Sequence, residues 1–545
     1  SVAEMSAAER AADAAGHGYG AMMEMAGRRV AEAIHHRYEI EDSTVLVLVG
    51  PGNNGGDGLV VGRYLAEAGA NVTFYLLKPR DKTDENLARV RVMGLEVLLS
   101  TDDNRFRGLY HRLRSCQILI DALLGTGAVR PITGQLATVL QQVRASLDER
   151  LDVQDGSQPL VSIAALPGDR TAEATGDNRP TIVAVDCPSG MNCDTGELDP
   201  LAIPADLTVT FAGPKRGHFL FPGASACGEL IVADIGIDPR LPEVAQVPVE
   251  LATVAEIRRL LPKRPADGHK GTFGTTLIAA GSIRYWGAPA LSARGAFRSG
   301  TGLVTLAVPQ RLRPALAGQF PEATYPPVTD TDLLGVSTAN LLLSSLKAYR
   351  LILVGPGLGE AGSFLNALFD GLRDPVDGET APPLVVDADG LNLLAEMANW
   401  PSRLPPQSIL TPHPGEMARL IGRPRTPIEP AERIDLAREK AAEWGHVVVL
   451  KGAYTIIAAP DRPTTLMPFA NPVLAVGGSG DVLAGVIAGL LAQGIEPFAA
   501  AVLGGYLHGA AGQMAADYWG DAGLLAGELA DWLPHVRRAL LGQES

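Results

Sequence analysis

The sequence predicts an α/β protein with two three-layer domains, and three observations carry that expectation. Short apolar, β-branched runs recur along the chain, among them TVLVLV at Thr44–Val49 and TIVAV at Thr181–Val185. Runs that are apolar on every residue read as strands buried on both faces of a parallel sheet. Helical stretches separate these runs, and regular alternation of strand and helix is the pattern of a doubly wound sheet with ligands at the carboxyl ends of its strands. Finally, 545 residues exceed what one hydrophobic core accommodates, and a Pro-rich segment, DPRLPEVAQVPV at Asp238–Val249, interrupts the alternation. The expected organisation is a first domain over residues 1–238, a linker over 239–249 and a second domain over 250–545.

Composition narrows the function classes. A net charge of −15 gives the chain no general attraction to nucleic acid or to an anionic membrane. The four cysteines, Cys116, Cys187, Cys193 and Cys227, include no Cys-x-x-Cys pair, so neither a zinc ribbon nor a redox motif is expected. The first fifteen residues carry Glu4, Glu9 and Asp13 without an apolar core, and no secretory signal is expected there. The apolar stretch Val482–Ala492 is too short to span a bilayer and reads as a core helix. These features predict a cytoplasmic enzyme with no membrane or nucleic-acid partner.

In chain order, an Ala-rich helix precedes the strand Thr44–Val49. The loop GPGNNGGDG (Gly50–Gly58) and a helix over Leu59–Ala68 follow. Next come a strand at Val72–Leu77, a polar helix, a strand at Gln117–Ile120 ending in Asp121, a helix from Gln135, and the strand Thr181–Val185 ending in Asp186. Residues Leu151–Pro180, rich in Asp, Gly, Pro and Thr, read as a surface insertion. The second alternation runs through Thr275–Ala280, Leu351–Val354, Leu384–Val386, Ser408–Leu410 and Val447–Leu450, and the last hundred residues are mostly helical.

The loop after the first strand fits Gly-x-Gly-x-x-Gly, whose backbone N–H groups can approach a phosphate at a helix N-terminus. The same string also suits a bare strand–helix turn. Where a dinucleotide fold places a ribose-binding acid, this chain has Lys78-Pro-Arg80, which argues against a standard NAD-linked oxidoreductase. Asn54, Asp121 and Ser189 lie at successive strand ends and could offer oxygen ligands to a hard cation, although each alone suits a capping or turn role. Taken together, NNGGDG, DALLGTG (Asp121–Gly127), VDCPSGMNCDTG (Val185–Gly196) and TFAGPKRG (Thr210–Gly217) resemble the NAD(P)H-hydrate epimerase domain over roughly residues 1–238. The resemblance implies a Rossmann-like fold and a potassium ion held by Asn54, Asp121 and Ser189. It also implies a substrate held by Asn53, Asn54, Gly55, Gly56 and Asp57, by Gly125, Thr126, Gly127, Ala128, Val129, Arg130 and Pro131, and by Asp186. Asp186 is then the acid/base residue, because epimerising the hydrated carbon requires reversible loss of its hydroxyl as water.

In the second half, GGSGD (Gly477–Asp481) opens a long apolar helix. Successive N–H groups of such a loop form an anion hole, and the Asp can accept a hydroxyl proton; helix capping is the plain alternative. There is no Walker A string and no Gly-x-Ser-x-Gly elbow. GHKGTFG (Gly268–Gly274), GPGLG (Gly355–Gly359), DADGLN (Asp387–Asn392), TPHPGE (Thr411–Glu416), KGAYT (Lys451–Thr455) and GGSGD, in that order, resemble the ribokinase-like superfamily, and within it the ADP-dependent NAD(P)H-hydrate dehydratase, over roughly 250–535. The resemblance implies that Lys451, Gly452, Ala453, Tyr454, Thr455 and Gly480 hold the adenine nucleotide. Ala288, Gly357, His413 and Asp481 would line the hydrate site, with Asp481 catalytic and magnesium accompanying ADP.

The combined expectation is metabolite repair: epimerisation of the R and S hydrates of NADH and NADPH (NADHX and NADPHX), then ADP-dependent dehydration of the S form to AMP, phosphate and NAD(P)H by a homo-oligomer. The alternatives are a ribokinase-like kinase of a vitamin precursor, or a first half that only binds a nucleotide, since fold alone does not fix substrate.

Overall fold

The computed structural model describes residues 1–127, 130–155, 179–373 and 381–542, and of 151–155 only the backbone. The chain divides into two compact units, Ser1–Val247 and Pro248–Ser545.

The first unit holds seven strands: β1 (Thr44–Val49), β2 (Asn71–Leu76), β3 (Glu96–Leu99), β4 (Ile118–Ala122), β5 (Thr181–Val185), β6 (Leu207–Phe211) and β7 (Glu229–Ala233). They form one parallel sheet in the order β3-β2-β1-β4-β5-β6-β7. The period-2 alternation of a strand sends Val45, Val47 and Val49 to one face and Leu46 and Leu48 to the other. On the valine side they meet Val30 and Ile34 of the helix Tyr19–His35 and Leu59 and Leu65 of the helix Asn53–Glu67. On the leucine side they meet Leu109 and Leu113 of the helix Arg107–Ser115 and Val139, Leu140 and Val143 of the helix Gly134–Asp155. Each such side chain contributes about 1.5–3 kcal/mol by leaving water, which is what holds the three layers together.

The strand order reverses between β1 and β4, so the crevice for a ligand opens at their carboxyl ends. The chain packs tightly there. A Cβ on Gly50 would stand 1.9 Å from the carbonyl oxygen of Leu123, which only glycine avoids.

Several elements differ from the sequence reading. The helix expected from Leu59 starts at Asn53, so NNGGD opens it, and the N–H groups of Asn53, Asn54 and Gly55 have no intrahelical partner. Asp121 lies inside β4 rather than after it. The single N-terminal helix is two, Val2–Ala14 and Tyr19–His35. Residues 156–178, most of the expected insertion, lie outside the described residues. Residues 239–249 divide between the units: Pro242–Ala245 is a short helix beside Val2–Ala14, whereas Val249–Leu251 is a strand of the second sheet.

That second sheet has nine strands: β8 (Val249–Leu251), β9 (Thr275–Ala279), β10 (Leu303–Ala307), β11 (Leu351–Val354), β12 (Leu384–Val386), β13 (Ile409–Leu410), β14 (Val447–Leu450), β15 (Ile456–Ala458) and β16 (Thr464–Leu466). Their order is β10-β9-β11-β12-β13-β14-β15-β16-β8. Pairing is parallel from β10 to β14, antiparallel through β15 and β16, and parallel again to β8. The apolar run Val482–Ala492 is buried at every residue within the helix Ser479–Ala492, which packs against the helices Gly287–Ser299 and Pro497–Trp519. Among the described residues, no helix is long and apolar enough to cross a membrane.

Candidate active sites

At the β1/β4 crevice the three expected cation ligands come together. Asp121 is buried in β4, and its Oδ1 accepts the Ser189 hydroxyl at 2.6 Å while its Oδ2 accepts the Ser189 backbone N–H at 2.8 Å. Burial raises the Asp121 pKa, and the bonds from Ser189 and the Leu123 backbone oppose that rise. Asn54 donates from Nδ2 to the Leu124 carbonyl at 2.8 Å, which turns its Oδ1 the other way. That Oδ1 is buried without a hydrogen-bond partner among the described residues. A buried acceptor with no donor is costly unless a ligand satisfies it. A carboxylate, an amide oxygen and a hydroxyl are hard donors, suited to a hard cation.

Beside this group, Asp186 follows β5 in the left-handed region, with φ 67°. For a non-glycine residue that conformation is uncommon and concentrates at functional positions. Thr210 of β6 donates to Asp186 Oδ1 at 2.9 Å, and Lys215 Nζ donates to the same oxygen at 2.6 Å. The lysine also bonds Thr210 Oγ1 at 2.8 Å. Burial alone would raise the Asp186 pKa, but the Lys215 ammonium, aided by the Thr210 hydroxyl, more than offsets it and holds the carboxyl below its ordinary value. Asp57 is moved the opposite way: burial, then repulsion from Asp186 and Glu9, raises its pKa well above the ordinary carboxylate value. The site therefore holds two carboxyls whose proton affinities are pushed in opposite directions, a division characteristic of acid/base pairs.

Arg80 stands where a dinucleotide fold places its ribose-binding acid. It donates from Nη1 to the carbonyls of Gly50 and Gly52 at 2.6 and 3.1 Å and from Nε to Asp84 at 2.6 Å, so it fixes the glycine loop from below. Asn53, Gly55 and Gly56 share the first helical turn with Asn54 and Asp57. Gly125 lies against the Asn54 side chain, while Thr126, Gly127, Arg130 and Pro131 continue along the loop. Ala128 and Val129 lie outside the described residues.

In the second unit, KGAYT, DADGLN, HPGE and GGSGD converge. Lys451 Nζ donates to Asp387 Oδ1 at 2.7 Å and lies 3.8 Å from Glu416 Oε2. Thr411 donates to the same Asp387 oxygen at 2.6 Å. Burial would lower the Lys451 pKa, but Asp387 and Glu416 more than compensate and raise it. A Cβ on Gly480 would stand 3.3 Å from Lys451 Nζ, which places the lysine against the start of the helix Ser479–Ala492. In that first turn Asp481 has a pKa pushed up to about 7, first by burial and then by repulsion from Asp387. A carboxyl poised near neutrality is what a general base requires.

The other expected residues surround this core. His413 caps the helix Pro414–Leu420, its Nδ1 accepting the Gly415 N–H at 3.0 Å, and burial followed by the Lys451 charge lowers its pKa. Gly357 lies against Ala288 and Tyr285. Nearby, Ser282, Tyr285, Asp332, Gly359, Asp389 and Asn392 help line a cavity of about 460 Å³. Gly452, Ala453, Tyr454 and Thr455 form the loop from β14 to β15, with Tyr454 at φ 53°. Arg433 braces that loop by donating to the carbonyls of Ala453 and Lys451 at 3.1 and 3.3 Å.

Three polar residues at these sites are not marked individually by the sequence. Lys215 and Asp387 lie within recognisable strings, yet neither has a neighbour at a diagnostic spacing. Arg433, from a separate helix, carries no signal at all.

Known proteins agree with both halves. A family described as YjeF-related protein N-terminus matches residues 20–217, and one described as NAD(P)H-hydrate dehydratase matches residues 276–535. A bifunctional NAD(P)H-hydrate repair enzyme from Moorella thermoacetica is 38% identical over 527 residues, covering 95% of this chain and 92% of that protein. One from Thermofilum pendens is 36% identical over 525 residues, with the same coverages of 95% and 92%. A solved ADP/ATP-dependent NAD(P)H-hydrate dehydratase from Bacillus subtilis, crystallised with ATP and magnesium, is 36% identical, covering 54% of this chain and 99% of that one with a TM-score of 0.44. With two matched domains in the same order and relatives aligned over nearly its whole length, this chain belongs to the family of bifunctional NAD(P)H-hydrate repair enzymes.

Proposed function

We propose that the first unit interconverts the R and S hydrates of NADH and NADPH and that the second dehydrates the S form with ADP. The observation that carries this reading is the pairing of two differently tuned carboxylates in one chain: Asp186 held ionised beside the Asn54–Asp121–Ser189 group, and Asp481 poised near pH 7 at the start of a glycine-led helix.

In the first unit, the hydrated ring carbon loses its hydroxyl as water while the ring nitrogen supplies the electron pair. Water then adds to the opposite face and gives up a proton. Asp186 is the group that receives that proton, and Asp57 the one that holds a proton for the departing hydroxyl. Potassium would be held by Asn54 Oδ1, Asp121 and Ser189, and would supply positive charge beside the substrate.

In the second unit, Asp481 takes the proton of the substrate hydroxyl, and that oxygen attacks the terminal phosphorus of ADP, releasing AMP. The phosphorylated hydrate then loses phosphate from one ring carbon and a proton from the next, which restores the reduced ring. Lys451, which lies against Gly480, and the free N–H groups at the start of that helix would face the phosphates. Among the described residues, no cluster of three or more His, Cys, Asp or Glu side chains is placed to hold a metal. That suits a magnesium ion arriving with the nucleotide's phosphates and neutralising their charge. Four free, buried cysteines suit a reducing cytoplasm.

The test is stoichiometric. With the S hydrate and ADP, the chain is expected to yield one AMP and one phosphate for each NADH recovered. A stable phosphorylated product with no recovered NADH would mean a small-molecule kinase instead.

A further inference from the structure

Resting on the reading of Asp186 as the epimerase acid/base group, the geometry points to Lys215 as the positioning residue of that site. It clamps Asp186 through Oδ1 and presents Oδ2 of the same carboxylate to the substrate.

The clamp is built from behind. The Lys215 side chain is 2% exposed and that of Asp186 is 11% exposed, so the ammonium is the more deeply buried partner of the pair. Lys215 has three donors and three acceptors: Asp186 Oδ1 at 2.6 Å, Thr210 Oγ1 at 2.8 Å and the Phe211 carbonyl at 3.4 Å. An ammonium with every donor engaged is fixed in place and does not itself travel to the substrate. Asp186 Oδ1 in turn receives both Lys215 and Thr210, and among the described residues both side-chain partners of Asp186 bond that one oxygen. Oδ2 is what remains for the reacting hydroxyl.

The backbone supports the same assignment. Lys215 N–H donates to His218 Nδ1 at 3.1 Å, which ties the turn carrying the lysine. The His218 pKa is itself lowered to about 4, by burial and then by the Lys215 charge, so the ring stays neutral at working pH. The charged or titratable groups facing Asp186 are thus Lys215 and His218 from the segment after β6, Glu9 from the helix Val2–Ala14, Asp57 from the helix Asn53–Glu67, and the adjacent Cys187 thiol. Lys215 is the cation in direct contact with the Asp186 carboxylate. Without it, Asp186 would be a buried carboxyl near two other carboxyls, and it would take up a proton.

The experiment uses the full chain, measuring initial epimerase rates from pH 5.5 to 9.5 above the spontaneous rate. Lys215→Met is expected to move the acidic limb of kcat/KM upward, with activity below the new limb falling about tenfold per pH step of one and recovering toward pH 9. Lys215→Arg is expected to keep the limb near its original position. Thr210→Val, which removes one donor to Oδ1 and one acceptor of the lysine, is expected to move the limb in the same direction by less. A Lys215→Met loss equal at every pH would overturn the proposal, as would a wild-type profile in that variant while Asp186→Asn is inactive. If Lys215→Met does not fold, an unmoved limb in Thr210→Val overturns it. An active Asp186→Asn would instead sink the underlying reading of Asp186.

Discussion

Lys451 and Asp387 form a buried ion pair at 2.7 Å, and the same aspartate is the strongest charged neighbour acting on Asp481. The loop that begins at Lys451 and the carboxyl of Asp481 are therefore electrically linked through one side chain. Asp387→Asn removes the charge that most raises Asp481 after burial. The acidic limb of the dehydratase rate is expected to fall below its wild-type position near pH 7, with weaker nucleotide binding as Lys451 loses its anchor. A limb that stays in place would show that Asp387 does not act on Asp481.

Asp481 itself must be ionised to accept a proton, so dehydration of the S hydrate should rise with pH through about 7 and level off above it. Asp481→Asn should reduce turnover by about 10²–10⁴-fold, the usual worth of a general base. Stability should respond in the opposite sense. A carboxyl whose pKa rises from 3.8 to about 7 on folding contributes stability that is complete below the ordinary carboxylate range and is lost as pH climbs to 7. Every tenfold change in proton affinity is worth about 1.4 kcal/mol. Asp481→Asn should thus melt higher than wild type at pH 8 and no higher at pH 4; equal melting at both would contradict the burial-driven rise.

The unpartnered Oδ1 of Asn54 makes the cation site testable without turnover. Potassium titrated into the full chain should raise the melting temperature of the first unit, and Asn54→Leu should abolish that rise along with potassium stimulation of the epimerase. Ser189→Ala removes the hydroxyl donor to Asp121 Oδ1 and one of the proposed ion ligands. It should cost about 1–3 kcal/mol, read by urea unfolding. A potassium response that survives Asn54→Leu would place the ion elsewhere.

Gly355 has φ 127°, and a Cβ there would stand 1.8 Å from the Asp387 carbonyl. Gly355→Ala should destabilise the second unit by about 1–3 kcal/mol and displace Asp387. Dehydratase activity should fall with epimerase activity intact. Wild-type stability would mean that the loop relaxes freely.

What is legible in the sequence follows from the physics of each element. Strands buried over nearly their whole length, such as Thr44–Val49 and Leu351–Val354, announce themselves because both faces are apolar. The edge strand Glu96–Leu99, exposed or half-buried throughout, carries no such run and gives no signal. The antiparallel strands Ile456–Ala458 and Thr464–Leu466 are too short for a period to emerge. Glycine-rich strings mark both sites because backbone geometry there demands glycine. The lysines show the limit of such patterns. Lys451 follows a strand within a recognisable string, but that its ammonium is engaged by Asp387 is visible only once distant segments meet. Lys215 lies 29 residues from its partner Asp186, with nothing in that spacing to pair them.

The most direct test of the two linked activities is to give the full chain a racemic mixture of NADH hydrates with ADP, magnesium and potassium, and to follow absorbance at the reduced-nicotinamide band. Complete recovery that requires the nucleotide is expected, and in Asp186→Ala a halt near half, followed only by the slow spontaneous epimerisation. Recovery that stops near half in the wild-type chain, or that runs to completion at the wild-type rate in Asp186→Ala, would contradict the assignment of epimerase and dehydratase to the two units.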